Sequence, residues 1–192
     1  MAILYNPKTI RIEPNTLVIL YGVQNSGKTT FAKNHFKDFE HVVSTDDILL
    51  NFYRELPTTI DKTSVKIFDQ ICEKTLKETI KRLQSLSSSY GILDAGNVEL
   101  YEELIAEMRK YYKNIIQVVL FPPLPIVLRR PPKISLEKLS YGIYPASLHP
   151  EIIIGLHNSI DNLIKSKAID KGADNTYIFS NSNPTTNVIF SS

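Results

Sequence analysis

Thr16-Leu17-Val18-Ile19-Leu20-Tyr21-Gly22-Val23-Gln24-Asn25-Ser26-Gly27-Lys28-Thr29-Thr30 decides the reading of this chain. Residues 16–21, TLVILY, are a continuous apolar run, the pattern of a strand buried on both faces. The eight residues that follow, GVQNSGKT, satisfy the spacing G-x-x-x-x-G-K-[ST], and a helix is expected from Thr30 to about Phe36. Glycines at both ends of such a loop let the backbone wrap closely, so that successive N–H groups converge on an anion. The helix that follows points its positive end at the same anion. Lys28 is then expected to place its ammonium on the β- and γ-phosphates of a nucleoside triphosphate, and Thr29 its hydroxyl on Mg²⁺. Gly22, Gln24, Asn25, Ser26, Gly27 and Thr30 complete the expected nucleotide cradle.

Outward from this loop the chain alternates strands and helices. Residues 2–5 and 9–12 predict a short N-terminal hairpin around Asn6-Pro7, within a leading segment 1–15. His41-Val42-Val43-Ser44 reads as a second strand, and Asp46 and Asp47 give the next helix an acidic first turn that suits its dipole. From Ser64 to Leu86, Phe68, Cys72, Leu76, Ile80 and Leu83 recur at helical spacing. Ser87-Ser88-Ser89 then reads as a linker into a third strand at Gly91 to Ala95. A helix over Val98–Tyr112, a fourth strand over Ile115–Phe121, a helix over Pro150–Ile164 and a last strand at Tyr177–Phe179 complete the series. Strands alternating with helices imply an α/β domain, a mostly parallel sheet flanked by helices, and with the loop above it a P-loop NTPase fold. The 192 residues suit one domain. Residues 121–150 hold seven of the eleven prolines and read as a Pro-rich lid region.

Composition narrows the function classes. The net charge of +2 leaves room only for a local nucleic-acid patch. One cysteine, Cys72, excludes an internal disulfide and a cysteine-based metal site. His35, His41, His149 and His157 lack metal-ligand spacing, and the mixed charges of Glu73, Lys74, Lys77, Glu78, Lys81 and Arg82 read as a solvated helix face. No run approaches the length of a membrane span, and the N-terminus lacks a signal layout, so a cytoplasmic protein with no membrane partner is expected.

Two carboxylate positions point to a kinase among the P-loop proteins. The Asn-Lys-x-Asp base-reading motif of GTPases and the Leu-Ser-Gly-Gly signature of ABC transporters are absent, and the chain is short for a helicase. A carboxylate at the end of the second strand could accept the proton of an acceptor hydroxyl, with Asp46 the candidate base; both Asp46 and Asp47 could instead cap the helix. Asp94, at the end of the third strand, faces the ligand crevice of an α/β sheet. It could order Mg²⁺-bound water, hold an acceptor-binding side chain, or cap the next helix.

With these elements in order the chain resembles the 5′-hydroxyl polynucleotide kinases, and most closely the kinase module of bacterial polynucleotide kinase–phosphatase RNA-repair enzymes. The resemblance runs through IRIEPNTLVILYGVQNSGKTTFAKNHF, STDDIL and ILDAGNVELYEELIAEMRKYYKNIIQVVLF, roughly residues 9–165 with gaps. It implies an ATP- and Mg²⁺-dependent transferase acting on the 5′-hydroxyl ends of RNA or DNA in nucleic-acid repair. It implies that Asp46 is the general base, that Asp94 and Asn97 form an Asp-x-x-Asn acceptor element, and that Arg129 is a lid arginine over the donor phosphates. Lys133 falls where a second lid arginine is expected, with Arg130 as a substitute. One departure stands out: the family's acceptor-phosphate arginine, three residues after the base, is Leu49 here, and Arg54, about one turn further along, is the candidate to bind the acceptor in its place. Alternatives are a small-molecule kinase of zeta-toxin-like or antibiotic-modifying type, and a nucleotide-binding module with little or no transfer.

Overall fold

The computed structural model describes residues 2–36, 39–94, 101–131, 136–142, 149–170, 172–181 and 183–191. Along the chain these form β1 (Ala2–Tyr5), β2 (Thr9–Ile12), β3 (Thr16–Tyr21), α1 (Lys28–His35), a 3₁₀ turn (Phe39–His41), β4 (Val42–Ser44) and α2 (Thr45–Glu55). There follow α3 (Val65–Leu86), β5 (Tyr90–Asp94), α4 (Tyr101–Met108), β6 (Asn114–Leu120), α5 (Leu124–Arg129), α6 (Leu136–Ser140), α7 (Pro150–Lys165), β7 (Asn175–Phe179) and β8 (Asn187–Phe190).

Six strands make one parallel sheet in the order β1-β7-β6-β3-β5-β4. The apolar run that opened the sequence is its centre, β3, with all six residues buried. Alternation along β3 divides its side chains between two cores. Leu17, Ile19 and Tyr21 join Leu83, Leu104, Met108, Ile153 and Ile160 from α3, α4 and α7. Val18 and Leu20 join Phe31, Ala32 and Phe36 from α1 and its end, with Ile10 and Ile12 from β2. Burying each large aliphatic side chain contributes about 1.5–3 kcal/mol, so a strand packed on both faces fixes the registers on either side of it.

The N-terminal hairpin is not formed. β1 and β2 exist at the expected residues, but β1 pairs parallel with β7, and β2 pairs parallel with β8 in a separate two-stranded sheet. Asn6 takes a left-handed conformation (φ 45), its backbone N–H donates to Ile178 O, and its side chain accepts from the Ser180 backbone. These bonds redirect the chain from one sheet to the other at the residue where a hairpin turn was expected. Of the expected apolar face of α3, Leu83 is buried and Leu76 and Ile80 pack against the core, while Phe68 is 42% exposed. The buried stripe also takes in Ile71, Thr75 and Thr79, and Thr79 Oγ1 donates to Thr75 O within the helix. The expected helix over 98–112 is seen over Tyr101–Met108 with Tyr112 packed beneath, and its first residues lie outside the described ones.

Tyr112 completes this core with a polar tip, its hydroxyl donating to Leu83 O at 2.5 Å while burial pushes its pKa well above the ordinary tyrosine value. Tyr112→Phe leaves the Leu83 carbonyl without that donor and is expected to cost about 1–2 kcal/mol, read as a melting temperature lower by about 2–8 °C.

Candidate active site

Parallel pairing brings three strand ends to one edge. Ser44 of β4 lies beside Asp94 of β5, and Asp94 lies beside Leu20 of β3, immediately before the loop at Gly22. The glycine loop, Asp94 and the start of α2 therefore share the carboxyl edge of the sheet, where α/β folds bind their ligands.

Both loop glycines are required by geometry. Gly22 has φ 148, and a Cβ there would sit 2.5 Å from Leu120 O and 2.6 Å from Ser26 Oγ. Gly27 caps α1 in the left-handed region (φ 110) and offers no side chain to the helix's first N–H groups, while Asn25 is left-handed too (φ 65). Successive residues in such conformations aim backbone N–H groups into one concavity, an anion nest at a helix N-terminus.

Lys28 is 9% exposed, and its ammonium donates to Gly22 O at 2.8 Å and Val23 O at 3.2 Å, closing the loop on itself. Burial lowers its pKa, and Asp94 and then Asp46 oppose that shift. Phosphate oxygens in place of those two carbonyls would give the ammonium anionic partners, which make hydrogen bonds about twice as strong. Thr29 donates its hydroxyl to Asp94 Oδ2 at 2.9 Å. Hydroxyl and carboxylate together are hard oxygen donors at the mouth of the nest, the set that suits Mg²⁺.

Asp94 has its pKa raised, first by burial; Lys28 and the Thr29 hydroxyl oppose this, and Asp46 and Asp47 add to it. A folded carboxyl that holds its proton more tightly than the unfolded one makes stability fall as pH rises from the ordinary carboxylate value towards the raised one. Asp94→Asn removes that penalty. Its expected outcome is an unchanged or higher melting temperature at neutral pH with a flatter pH dependence above pH ~4, together with loss of Mg²⁺-dependent nucleotide binding; thermal melts across pH and metal titration check it.

Of the adjacent acids at the next strand end, neither is the helix cap. Ser44 is the N-cap of α2 and accepts from the Asp47 backbone N–H at 3.3 Å. Asp46 is exposed and its Oδ2 accepts from Lys138 Nζ of α6 at 2.9 Å.

The other expected site residues are distributed as follows. Gln24 and Asn25 are half-buried in the loop, Ser26 is buried, and Thr30 is exposed on the first turn of α1. Arg129 is exposed on the last turn of α5. Its neighbour Arg130 reaches the loop, donating from Nη1 to Asn25 O at 2.6 Å. Arg54 sits on the last turn of α2 with Nε and Nη2 on the two oxygens of Glu137 at 2.7 and 2.9 Å, and Nη1 on Asn51 Oδ1 at 3.0 Å. Leu49 is half-buried on α2. Asn97 and Lys133 lie outside the described residues. Lys138 and Glu137 were not singled out from the sequence; the only signal was a short charged segment, SLEKLSYG, inside the proline-rich region. His157 and His41 are structural, stacked on Phe121 and Tyr90, with ring nitrogens at the Pro122 and Tyr90 carbonyl oxygens.

No protein-family model matches the chain, and no curated protein matches it significantly. Solved structures do. A protein from Chloroflexus aurantiacus provisionally named a kinase superposes with a TM-score of 0.51 at 16% identity, over 88% of this chain and 86% of that one. A shikimate kinase from Bacteroides thetaiotaomicron gives 0.49 at 18% identity, over 87% of each chain. The Pnkp1/Rnl/Hen1 complex gives 0.42 at 23% identity, over 64% of this chain and 40% of that one. Only the first overlap is close enough to bear on architecture, and at its identity the likeness concerns the fold. The chain shares with that protein a mostly parallel α/β sheet flanked by helices.

Proposed function

We propose that this protein is an ATP- and Mg²⁺-dependent phosphotransferase whose acceptor is the 5′-hydroxyl end of a polynucleotide. The observation that carries the reading is the convergence of Lys28, Thr29, Asp94 and Asp46 at one sheet edge, with Lys28 within electrostatic reach of both carboxylates. Asp46 accepts the proton of the acceptor hydroxyl; the freed oxygen forms a bond to the γ-phosphorus, and the bond from that phosphorus to the β–γ bridging oxygen breaks. Lys28 and the loop N–H groups stabilise the charge on the phosphoryl group, as preorganised donors do in a site shielded from water. Bound Mg²⁺ would neutralise charge on the donor oxygens, with Thr29 and Asp94 as the residues that hold it or its water. Arg130, already on the loop backbone, joins Arg129 as a lid cation.

A second reading, a small hydroxyl compound as acceptor, is favoured by one specific observation. Leu49 offers no bidentate phosphate clamp on α2, and Arg54 is engaged by Glu137. The two readings separate on a panel of acceptors. Label from γ-labelled ATP is expected on an oligonucleotide with a 5′-hydroxyl and not on its 5′-phosphorylated counterpart, with affinity that weakens steeply with salt. Leu49→Arg is expected to tighten acceptor binding by about 10-fold and to leave ATP affinity unchanged. Label on a small alcohol, with oligonucleotides inert at low and moderate salt, would replace the polynucleotide reading. Tightly bound nucleotide with no transfer at all would replace both.

A further inference from the structure

Helix α6 lies across α2 although it buries none of its own side chains, and Leu136 at its start is 80% exposed. Among the described residues, neither apolar core includes a residue of this helix. Its contacts with α2 are polar and aromatic, and three residues within five, Glu137, Lys138 and Tyr141, carry them. Glu137 takes the Arg54 guanidinium on both oxygens, a fork geometry that defines orientation as well as distance. Just past the helix, Tyr141 stacks on the buried Tyr53 of α2, with ring centroids 5.3 Å apart and planes 11° from parallel. Lys62 braces this stack, donating to Tyr53 O at 3.0 Å with its ammonium 4.8 Å from the Tyr141 ring centroid. At the opposite end of α2, Lys138 reaches Asp46 Oδ2 at 2.9 Å.

An exposed ion pair alone contributes little, so Arg54–Glu137 by itself would hold α6 weakly. The aromatic stack beside it adds a second, geometrically specific contact, and the two together define one register of a five-residue helix. We propose that α6 is a clasp: the Arg54–Glu137 pair and the Tyr53–Tyr141 stack dock it on α2 in the register that seats Lys138 on Asp46, making Lys138 a positioning residue for that carboxylate. The assignment rests on the reading of Asp46 as the base. With Oδ2 held by the ammonium, the carboxylate presents Oδ1 to an incoming hydroxyl in a fixed orientation. Arg54 then serves the clasp, which explains why it does not stand free to bind acceptor phosphate.

The test is a charge-swap series read in two ways. Backbone amide exchange over residues 136–142 is expected to rise about 5-fold in Arg54→Glu and in Glu137→Arg, and to return towards wild type in the double swap. With whichever acceptor the wild type phosphorylates, kcat is expected to fall about 10-fold in each single variant, with KM for ATP unchanged, and to recover in the swap. Lys138→Met should lower kcat as far while leaving the exchange of α6 unaltered, and Lys138→Arg should restore most of the loss. Equal exchange in all four proteins of the swap series, or no recovery in the swap, would overturn the clasp. Wild-type kcat in Lys138→Met would overturn the positioning role. A wild type that transfers label to nothing would overturn the phosphotransferase reading and the positioning role with it, while the exchange series would still decide the clasp.

Discussion

Lys28→Ala is expected to lower phosphoryl transfer by about 100-fold or more, equivalent to roughly 2.7 kcal/mol of lost transition-state stabilisation. The size follows from where the ammonium sits. It is nearly fully buried at the mouth of a nest of N–H groups, so its attraction to a developing phosphate charge is little screened by water. The same burial makes the substitution a test of the fold. Removing Lys28 takes away the countercharge that opposes the raised pKa of Asp94, and Asp94 is then expected to hold its proton more tightly. Lys28→Met, which keeps the length and packing of the side chain without its charge, separates the effects. Both variants should lose transfer, and the methionine variant should melt within a few degrees of wild type. Steady-state rates and thermal melts on the same samples check this.

Asp46→Asn is expected to lower kcat by about 10²–10⁴-fold while leaving ATP affinity within about 2-fold, because the amide cannot accept the hydroxyl proton although it still fits beside Lys138. Asp47→Asn is expected to be mild. Its backbone N–H serves the Ser44 cap, and the substitution leaves that bond in place. Comparable losses in the two variants would mean that a general fall in negative charge near the helix, and not proton acceptance by Asp46, sets the rate. Rate and nucleotide-affinity measurements on the pair decide between these.

The parts of the fold that the sequence made legible are those specified locally. β3, the glycine loop and α1 follow one another within twenty residues, and each carries its own signal: a continuous apolar run, two glycines in conformations that L side chains resist, and a helix start. The placement of the carboxylates was legible for the same reason, since Asp94 ends β5 and Asp46 stands in the first turn after β4, strands whose positions the apolar runs define. Features decided by distant partners were not legible. β1 and β2 look like a hairpin until β7 and β8, more than 160 residues away, are there to pair with them. β8 carries the strand formers Val188, Ile189 and Phe190, but so short a run in a Ser- and Asn-rich tail does not stand out until β2 is there to pair with it. The buried stripe of α3 includes two threonines that a count of apolar residues passes over. Helices α5 and α6, of six and five residues, are shorter than two helical turns and carry too little periodicity to stand out among prolines. For that reason Arg130, Glu137 and Lys138 received less weight than Arg129, although their contacts reach the loop, α2 and Asp46.

The most direct measurement is the fate of the γ-phosphoryl group: purified protein, γ-labelled ATP, Mg²⁺ and a 5′-hydroxyl oligonucleotide, with label counted separately in the oligonucleotide and in inorganic phosphate. Label recovered in the oligonucleotide in step with ADP formed, and abolished in Lys28→Ala, is the predicted result. ADP formed with all label in inorganic phosphate, or label transfer that persists in Lys28→Ala, would contradict the account.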